Sequence, residues 1–302
     1  MTFSFHIITN VGMLLKSELV RGFARTLCLA QLYKEPGYAE ALKEKIANGD
    51  RVILDNGAHE GIDYPIAEYL AIALDLQPTV VVLTDLVGRT SEQSRANSFR
   101  LLWALTGQNE TECPEPDWAV VRDAFPKTKF MYVPQGANKQ QVMDDYRWAI
   151  NNLDPDLFII GFGQGYLCWA SNEWEVNQEA TRLPMVMAAL DEHAKWLQKQ
   201  ADDNAQALLE GKPQKEIKTF EFHVLGARWS ADSIHYGHIS PYISGIDTIK
   251  PTTCAFTNRV FPNRPDIRSI VRESSDVVSE ALLIQNINAF CVEYGCVSGL
   301  AH

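Results

Sequence analysis

The sequence has no hydrophobic run of 18 or more residues, the length that a membrane-spanning helix requires. Its beginning, MTFSFHIITN, lacks the basic segment and the cleavage site of a secretory signal peptide. The composition is otherwise ordinary for a globular protein, since 46% of the 302 residues are hydrophobic and 22% are charged. We therefore expect a cytoplasmic protein with a large buried core.

CxxC pairs are missing as well. The six cysteines are Cys28, Cys113, Cys168, Cys254, Cys291 and Cys296. Buried or free thiols in a reducing cytoplasm are the expected state of such residues. Cys291, Cys296 and His302 are close in sequence and could hold a metal ion, but their spacing matches no zinc motif. The sequence therefore predicts no metal site, and whether these three residues bind a metal stays open.

Positive charge is scarce, because 27 Lys and Arg residues stand against 38 Asp and Glu and give a net charge of −11. This balance excludes a protein that coats nucleic acid with its whole surface. One basic segment lies near 257–273, and its stretch TNRVFPNRPDIRSIVR carries Arg259, Arg264, Arg268 and Arg272 against a single acid, Asp266. It is either a solvated helix face or a phosphate-binding strip, and the second case would make activity fall as salt rises.

Seven short apolar runs, each followed by turn residues, predict buried strands. They are FSFHIIT, RVILDNG, TVVVLTD, KFMYVPQG, DLFIIGFG, FEFHVLG and GIDTIKP. Helical apolar spacing separates many of them, as in PGYAEALKEKIANG, YPIAEYLAIALDL, SEQSRANSFRLLWALTG, NKQQVMDDYRWAINNL and LPMVMAALDEHAKWLQKQ. With one less certain strand, this order predicts an α/β fold: a single-domain TIM (β/α)8 barrel with insertions and a polar loop near 200–218. An open doubly wound sheet is the alternative, which no GxGxxG or Walker motif supports.

Polar residues and glycines cluster where the predicted strands end, which is where barrel enzymes place their chemistry. The residues are Asp55, Asp85, Gln135, Gly136, Gly161, Gly163, Leu225, Gly226 and Asp247. Any single aspartate here could simply start a turn or cap a helix. Three carboxylates and one amide from different strands would nevertheless meet at one barrel mouth, and this convergence favours a site.

Such a set suits the exchange of a purine base. Two carboxylates can break a glycosidic bond, one as nucleophile and one as proton shuttle. A third carboxylate accepts hydrogen bonds from N–H groups, while a glutamine amide and exposed backbone N–H groups donate to a carbonyl oxygen. These preferences complement the Watson–Crick edge of guanine.

In order along the chain, these motifs resemble those of the tRNA-guanine transglycosylases and of their relatives, the 7-deazaguanine DNA transglycosylases. ILDNGAHEG is similar to the family's Asp-Ser-Gly-Gly-aromatic-Gln motif, which implies that Asp55 is the general acid/base. LTDLVG and YVPQG resemble the base-recognition motifs, and imply that Asp85, Gln135 and Gly136 bind the base. IIGFGQG and FHVLGA resemble the Gly-Gly-Leu and Leu-Met-Gly-Val-Gly strands and add Gly161, Phe162, Gly163, Leu225 and Gly226.

The family's last motif carries the nucleophile and can be matched to SGIDTIKPTTCAF in two ways. Matching the first aspartate of the motif places Lys250 at the nucleophile. Matching on Pro-Thr makes Asp247 the nucleophile and leaves Lys250 as a bystander or a phosphate contact. We prefer Asp247, because the family's chemistry passes through a glycosyl-aspartate, which lysine would not reproduce. The same match puts Thr253 where the family has an arginine.

Other departures from the family concern the aromatic residue that covers the base and the zinc subdomain. His59 stands at the aromatic position, where it could stack on a base or pack in the core, and Leu225 replaces a methionine on the opposite face. The family's Cys-x-Cys-x-x-Cys…His zinc site is missing. A compact chain without that subdomain is more similar to the DNA-acting relatives, often carried by phages, than to the tRNA enzymes.

The resemblance implies an enzyme, a pentosyltransferase that replaces guanine in DNA with a free 7-deazaguanine such as preQ0, in a bacterium or a phage-infected cell. It implies no cofactor and no membrane partner, and a homodimer is open. The alternatives are a tRNA-acting enzyme, a non-catalytic nucleic-acid-binding barrel subunit, and an unrelated barrel hydrolase of small glycosides. The specific deazaguanine, the DNA context and the choice between DNA and RNA stay undecided.

Overall fold

A computed structural model describes residues 4–8, 14–15, 17–57, 64–86, 89–108, 115–163, 182–226, 243–248 and 280–294. Over the last strand, 243–248, the description covers the backbone. In this part of the chain the protein is a mixed α/β structure with a parallel sheet. Within the described residues, no helix combines the length and the apolar character that crossing a membrane requires.

The strands pair in parallel and in chain order. They are β1 (Ser4–Ile8), β2 (Arg25–Leu29), β3 (Arg51–Asp55), β4 (Val80–Val82), β5 (Lys129–Tyr132), β6 (Phe158–Phe162), β7 (Phe222–Val224) and β8 (Ile243–Thr248). The sheet curls until β8 pairs with β1, with Ser4 opposite Gly245 and Ile7 opposite Thr248. This arrangement is compatible with the predicted TIM-like α/β fold.

Helices follow most of the strands. They are α1 (Glu18–Arg21), α2 (Tyr38–Ala47), α3 (Ile66–Leu76), α4 (Ser91–Thr106), α5 (Trp118–Ala124), α6 (Lys139–Asn152), α7 (Arg182–Leu209) and α8 (Glu280–Tyr294), with a short 3-10 helix at Ala30–Leu32. Side chains cap the starts of α1, α4, α5 and α6. Thr90 and Gln93 form a capping box at the start of α4, and Gly107 ends it at φ 69°.

Two apolar layers lie on opposite faces of the sheet. The inner layer, enclosed by the curled sheet, consists of Leu27, Ile53, Val80, Val82, Met131, Val133 and Ile159. The outer layer lies between the sheet and the helices and is larger, with Tyr69, Phe99, Tyr132 and Phe158 among its members. Because neighbouring residues of a strand face opposite sides, every strand must be apolar on both faces. This explains the continuous apolar runs in the sequence.

Six of the seven predicted apolar runs contain an observed strand in full, the seventh, GIDTIKP, overlaps β8, and each of the five predicted helices is present. The remaining strand is β2, which the sequence did not locate. The polar segment near 200–218 was predicted to be a loop. Its first part is helical, because α7 continues to Leu209, and only the part after this helix is an extended loop. Helices α1, α5 and α8 were not predicted.

Candidate functional site

Three polar side chains lie at the carboxyl ends of neighbouring strands, at the end of the sheet that we call the mouth. Asp55 is the last residue of β3, Asp85 follows β4 by three residues, and Gln135 follows β5 by three residues. Because β3, β4 and β5 pair in parallel as direct neighbours, their carboxyl ends meet at one edge. The sheet therefore brings together three of the residues that the sequence predicted.

Asp85 and Gln135 are in direct contact. The Gln135 Nε2 donates to Asp85 Oδ2 at 2.5 Å, and Gln135 is only 1% exposed. Burial raises the pKa of Asp85 from 3.8 to about 6, although hydrogen bonds from Gln135 and Asn56 act in the opposite direction. At neutral pH, Asp85 is thus an ionised acceptor that is held in place by an amide. Among the described residues, the buried Oε1 of Gln135 finds no hydrogen-bond partner, which is unusual for a buried polar atom.

Asp55 lies in the same electrostatic environment as Asp85. Its Oδ1 accepts from the Gly57 N–H at 3.2 Å, in a turn where Gly57 has φ 74°. The hydroxyl of the buried Tyr69 lies 3.0 Å from the Leu54 carbonyl oxygen and 2.7 Å from that of Val82. Burial raises the pKa of Tyr69 well above its usual value, and the negative charges of Asp55 and Asp85 raise it further. Both carboxylates therefore act on the Tyr69 hydroxyl, which lies between the ends of β3 and β4.

Gly161 and Phe162 occupy opposite faces of β6. A Cβ on Gly161 would lie 2.9 Å from Met131 Sδ and from Val133 Cγ2, so this glycine allows the inner layer to pack beneath the mouth. The Phe162 ring stacks on Phe222 at 5.6 Å in the outer layer. The sequence proposed Phe162 beside the base, but its ring packs on the helix-facing side of the sheet and does not join Asp85 and Gln135. Gly163 is buried, and because residues two apart on a strand share a face, it lies on the same inner face as Gly161.

Leu225 and Gly226 follow β7 on the far side of the mouth. Leu225 is partly buried against the inner layer, and its N–H donates to the Phe162 carbonyl oxygen at 3.0 Å. Gly226 has φ 62°, which lets the chain turn away from the strand. Leu225 thus forms part of the apolar wall that the mouth encloses.

No protein-family model and no curated protein matches this chain. The resemblance to the transglycosylases accordingly stays a prediction that rests on the sequence motifs.

Asp247 belongs to β8 and pairs with His6 of β1, so its backbone lies in the strand that joins the two ends of the sheet. Its side chain is outside the described residues. The same holds for His59, for Lys250 and for the arginines of the basic segment, Arg259, Arg264, Arg268 and Arg272. Their predicted roles stay predictions.

Asn56 and Asp145 were missed by the sequence-based prediction. Asn56 is 3% exposed, and its Nδ2 donates to the Leu83 carbonyl oxygen at 2.8 Å. Asp145 is fully buried on α6, where its Oδ2 accepts from the Gln135 backbone N–H at 3.1 Å. The sequence does mark Asp145 as unusual, because this charged residue falls in the apolar stripe formed by Val142, Tyr146 and Ala149.

The described residues contain no group of three or more side chains suited to hold a metal ion. Cys28 and Cys291 are buried free thiols, as expected for these two positions. Cys296 and His302 lie outside the described residues, so the question of a metal at the C-terminal end is unchanged.

Gly136 supplies a test of how tightly the mouth is packed. A Cβ at this position would lie 2.6 Å from Gln141 Cβ and 2.7 Å from the Val142 backbone nitrogen, neither of which can move without shifting α6. We expect Gly136→Ala to lower the free energy of unfolding by about 2–3 kcal/mol, the upper part of the range for overpacking, because the added Cβ meets backbone. Denaturant unfolding monitored by circular dichroism measures this loss.

The matched control is Gly107→Ala, where φ is 69° but no atom lies within 4 Å of the added Cβ. This variant loses about 1 kcal/mol through backbone conformation alone. Equal losses in the two variants would contradict the close packing of Gly136.

Proposed function

We propose that this protein is a DNA base-exchange enzyme that replaces guanine with a 7-deazaguanine such as preQ0, on a single-domain TIM (β/α)8 barrel. The observation that carries the proposal is the Asp85–Gln135 pair at the mouth, in which Gln135 Nε2 lies 2.5 Å from Asp85 Oδ2, with Asp55 at the end of the neighbouring strand β3. The proposal also rests on the ordered motifs of the transglycosylase family along the sequence.

The Asp85–Gln135 pair suits the Watson–Crick edge of guanine. An ionised carboxylate accepts from the N1–H and the exocyclic amino group, and an amide N–H that is not used by Asp85 can donate to O6. Guanine and 7-deazaguanine share this edge, so one pocket can hold each of them in turn. A target base must leave the DNA stack to reach it, since its anomeric carbon is shielded in a duplex.

In the proposed reaction, a carboxylate oxygen of Asp247 forms a bond to C1′ while the bond from C1′ to the guanine nitrogen breaks. The electron pair of that bond goes to the departing base, which takes a proton from Asp55, and Asp55 must therefore enter this step as the protonated acid. The incoming deazaguanine gives its proton to Asp55 and attacks C1′. The glycosyl-aspartate bond then breaks, and both carboxylates return to their initial states.

The decisive experiment is incubation of the protein with guanine-containing DNA and preQ0, followed by nucleoside mass spectrometry. We expect the deazaguanine deoxynucleoside to appear in the DNA and free guanine to be released in equal amount. Parallel incubations contain tRNA or free deoxyguanosine in place of the DNA.

Each parallel incubation selects a rival. Exchange into tRNA but not into DNA would select an RNA enzyme of the same chemistry. Release of base from free deoxyguanosine without incorporation would select a nucleoside hydrolase. No reaction in any of the three incubations would favour a non-catalytic barrel subunit.

A further inference from the structure

Asp145 is a carboxylate on the buried face of a helix, at a position where an apolar residue would be expected. It is 0% exposed and lies on α6. A buried charge is costly unless hydrogen bonds and an opposite charge compensate it. Both oxygens of Asp145 are engaged: Oδ1 faces Arg95, and Oδ2 faces the Tyr132 hydroxyl and the Gln135 backbone N–H.

Arg95 provides the opposite charge from α4. Its Nε lies 3.1 Å and its NH2 group 2.7 Å from Asp145 Oδ1, and its guanidinium lies 3.8 Å from the centre of the Trp148 ring. Two hydrogen bonds and the aromatic face restrict the arginine to one orientation. Burial raises the pKa of Asp145, whereas the hydrogen bonds from Arg95 and the Gln135 N–H lower it. Arg95 therefore helps to keep Asp145 ionised inside the protein.

The hydrogen bonds of Asp145 connect it to the mouth through one residue, Gln135. Asp145 Oδ2 accepts from the Gln135 N–H at 3.1 Å, and the side chain of the same residue contacts Asp85 at 2.5 Å. Tyr132, at the end of β5, donates to the same Oδ2 at 2.8 Å and anchors Asp145 to the strand that precedes Gln135. The chain between Tyr132 and Gln135 is thus held at both ends by one carboxylate.

We infer that Asp145, held by Arg95 and Tyr132, is the positioning residue that fixes the contact between Gln135 and Asp85. Through this contact it determines the affinity of the mouth for its ligand. The inference deepens the proposed function, because only that proposal makes the ligand a guanine or a 7-deazaguanine. A displacement of about 1 Å in such a contact is enough to weaken a reaction by about 10²-fold. Within the described part of the chain, Gln135 and Asn56 donate hydrogen bonds to Asp85, and the charge of Asp85 raises the pKa of Tyr69. The hydrogen bonds that connect Asp145 to Asp85 run through Gln135.

The test uses Arg95→Gln, which removes the charge. Arg95 borders an outer cavity of about 420 Å³ between α4, α5 and α6, so the shorter side chain leaves no sealed void. Tyr132→Phe is a second variant that removes one donor without a change of charge. The control is Arg147→Gln, since Arg147 pairs with Asp144 and Glu192 on the exposed side of α6.

Two measurements are made on each variant. The first is the pKa of Asp85, followed by carboxyl carbon NMR, which requires no activity. The second is the KM and kcat of base exchange. For Arg95→Gln we expect the pKa of Asp85 to rise from about 6 to about 7 and the KM for the free base to rise about tenfold, with a smaller change in kcat. Tyr132→Phe, and Arg95→Lys as the variant that keeps the charge, should give smaller changes of the same sign. Arg147→Gln should change neither the pKa of Asp85 nor the KM.

The two readouts separate the inference from the proposed function. A folded Arg95→Gln variant with an unchanged Asp85 pKa and an unchanged KM would overturn the positioning role, even if the wild type exchanges bases. Equal changes in Arg147→Gln would overturn it too. If the wild type exchanges no base, the proposed function fails, while a raised Asp85 pKa in Arg95→Gln would still support the positioning role.

Discussion

If Asp247 is the proposed nucleophile, we expect Asp247→Asn to reduce base exchange by at least about 10³-fold, because it replaces the carboxylate oxygen proposed to bond to C1′. An amide oxygen is a poor nucleophile, so the glycosyl intermediate does not accumulate. Asparagine has nearly the same volume as aspartate, and the backbone of β8 already pairs with β1 at this position, so the fold is preserved. Exchange of labelled guanine into DNA measures the rate, and denaturing gel electrophoresis detects the covalent protein–DNA intermediate in the wild type.

The matched variant is Lys250→Ala, which tests the other alignment of the same motif. If Lys250 only contacts phosphate, its loss lowers affinity and the salt dependence of activity, and partial activity remains. Loss of all exchange in Lys250→Ala, together with a trapped intermediate in Asp247→Asn, would transfer the nucleophile to the lysine. The pair of variants therefore decides between the two alignments without further structural information.

The strands and helices that were predicted correctly are those in which one pattern extends over enough residues to be recognised. Strand β2 was not located, because its run of three central residues, Thr26, Leu27 and Cys28, lies between Arg25 and the 3-10 helix that follows it. Helix α5 has seven residues, too few for an apolar stripe to repeat. Both segments are defined by their neighbours in space, β1 and β3 in one case and α4 in the other, and no local pattern reports such contacts.

The residues of the candidate site, like the strands and helices, could be predicted only where a sequence pattern marks them. Asp55, Asp85 and Gln135 could be predicted as a group, because the ends of parallel strands must meet wherever the strands pair. Phe162 could not be separated from Gly161, since a strand covered on both faces is apolar throughout and does not mark its inner side. Asp145 lies 50 residues from Arg95 in sequence and is joined to it by packing of α4 and α6. A local sequence pattern shows that such a charge is unusual, but it does not show its partner.

Asp85→Asn is expected to abolish recognition of the base and, at the same time, to stabilise the fold. Asparagine presents an N–H group where guanine also presents N–H groups, so kcat/KM falls by about 10²–10⁴-fold. In the wild type, kcat/KM should fall tenfold for each pH unit below about 6, where Asp85 becomes protonated and no longer accepts two hydrogen bonds. Steady-state exchange assays between pH 5 and 8 measure both effects.

The effect on stability has the opposite sign to the effect on activity. The pKa of Asp85 is raised from 3.8 to about 6 in the folded protein, so the native state holds its proton more tightly than the unfolded chain does. Stability is therefore lost as pH rises from about 4 to about 6, and the loss is complete above that range. Asp85→Asn carries no charge at any of these pH values, and we expect it to raise the free energy of unfolding at pH 8 by on the order of 1–3 kcal/mol.

Denaturant unfolding at pH 4, 6 and 8 measures this difference, and Asp123→Asn is the control because it makes the same charge change at an exposed position of α5. A stability gain in Asp85→Asn that disappears at pH 4, with none in Asp123→Asn, would mean that the protein keeps a partly buried carboxylate at a cost to its own stability. A residue kept under that cost is best explained by a ligand that needs the negative charge. If Asp85→Asn were instead less stable at pH 8, the carboxylate would serve the fold through Gln135, and its proposed role in base recognition would be contradicted.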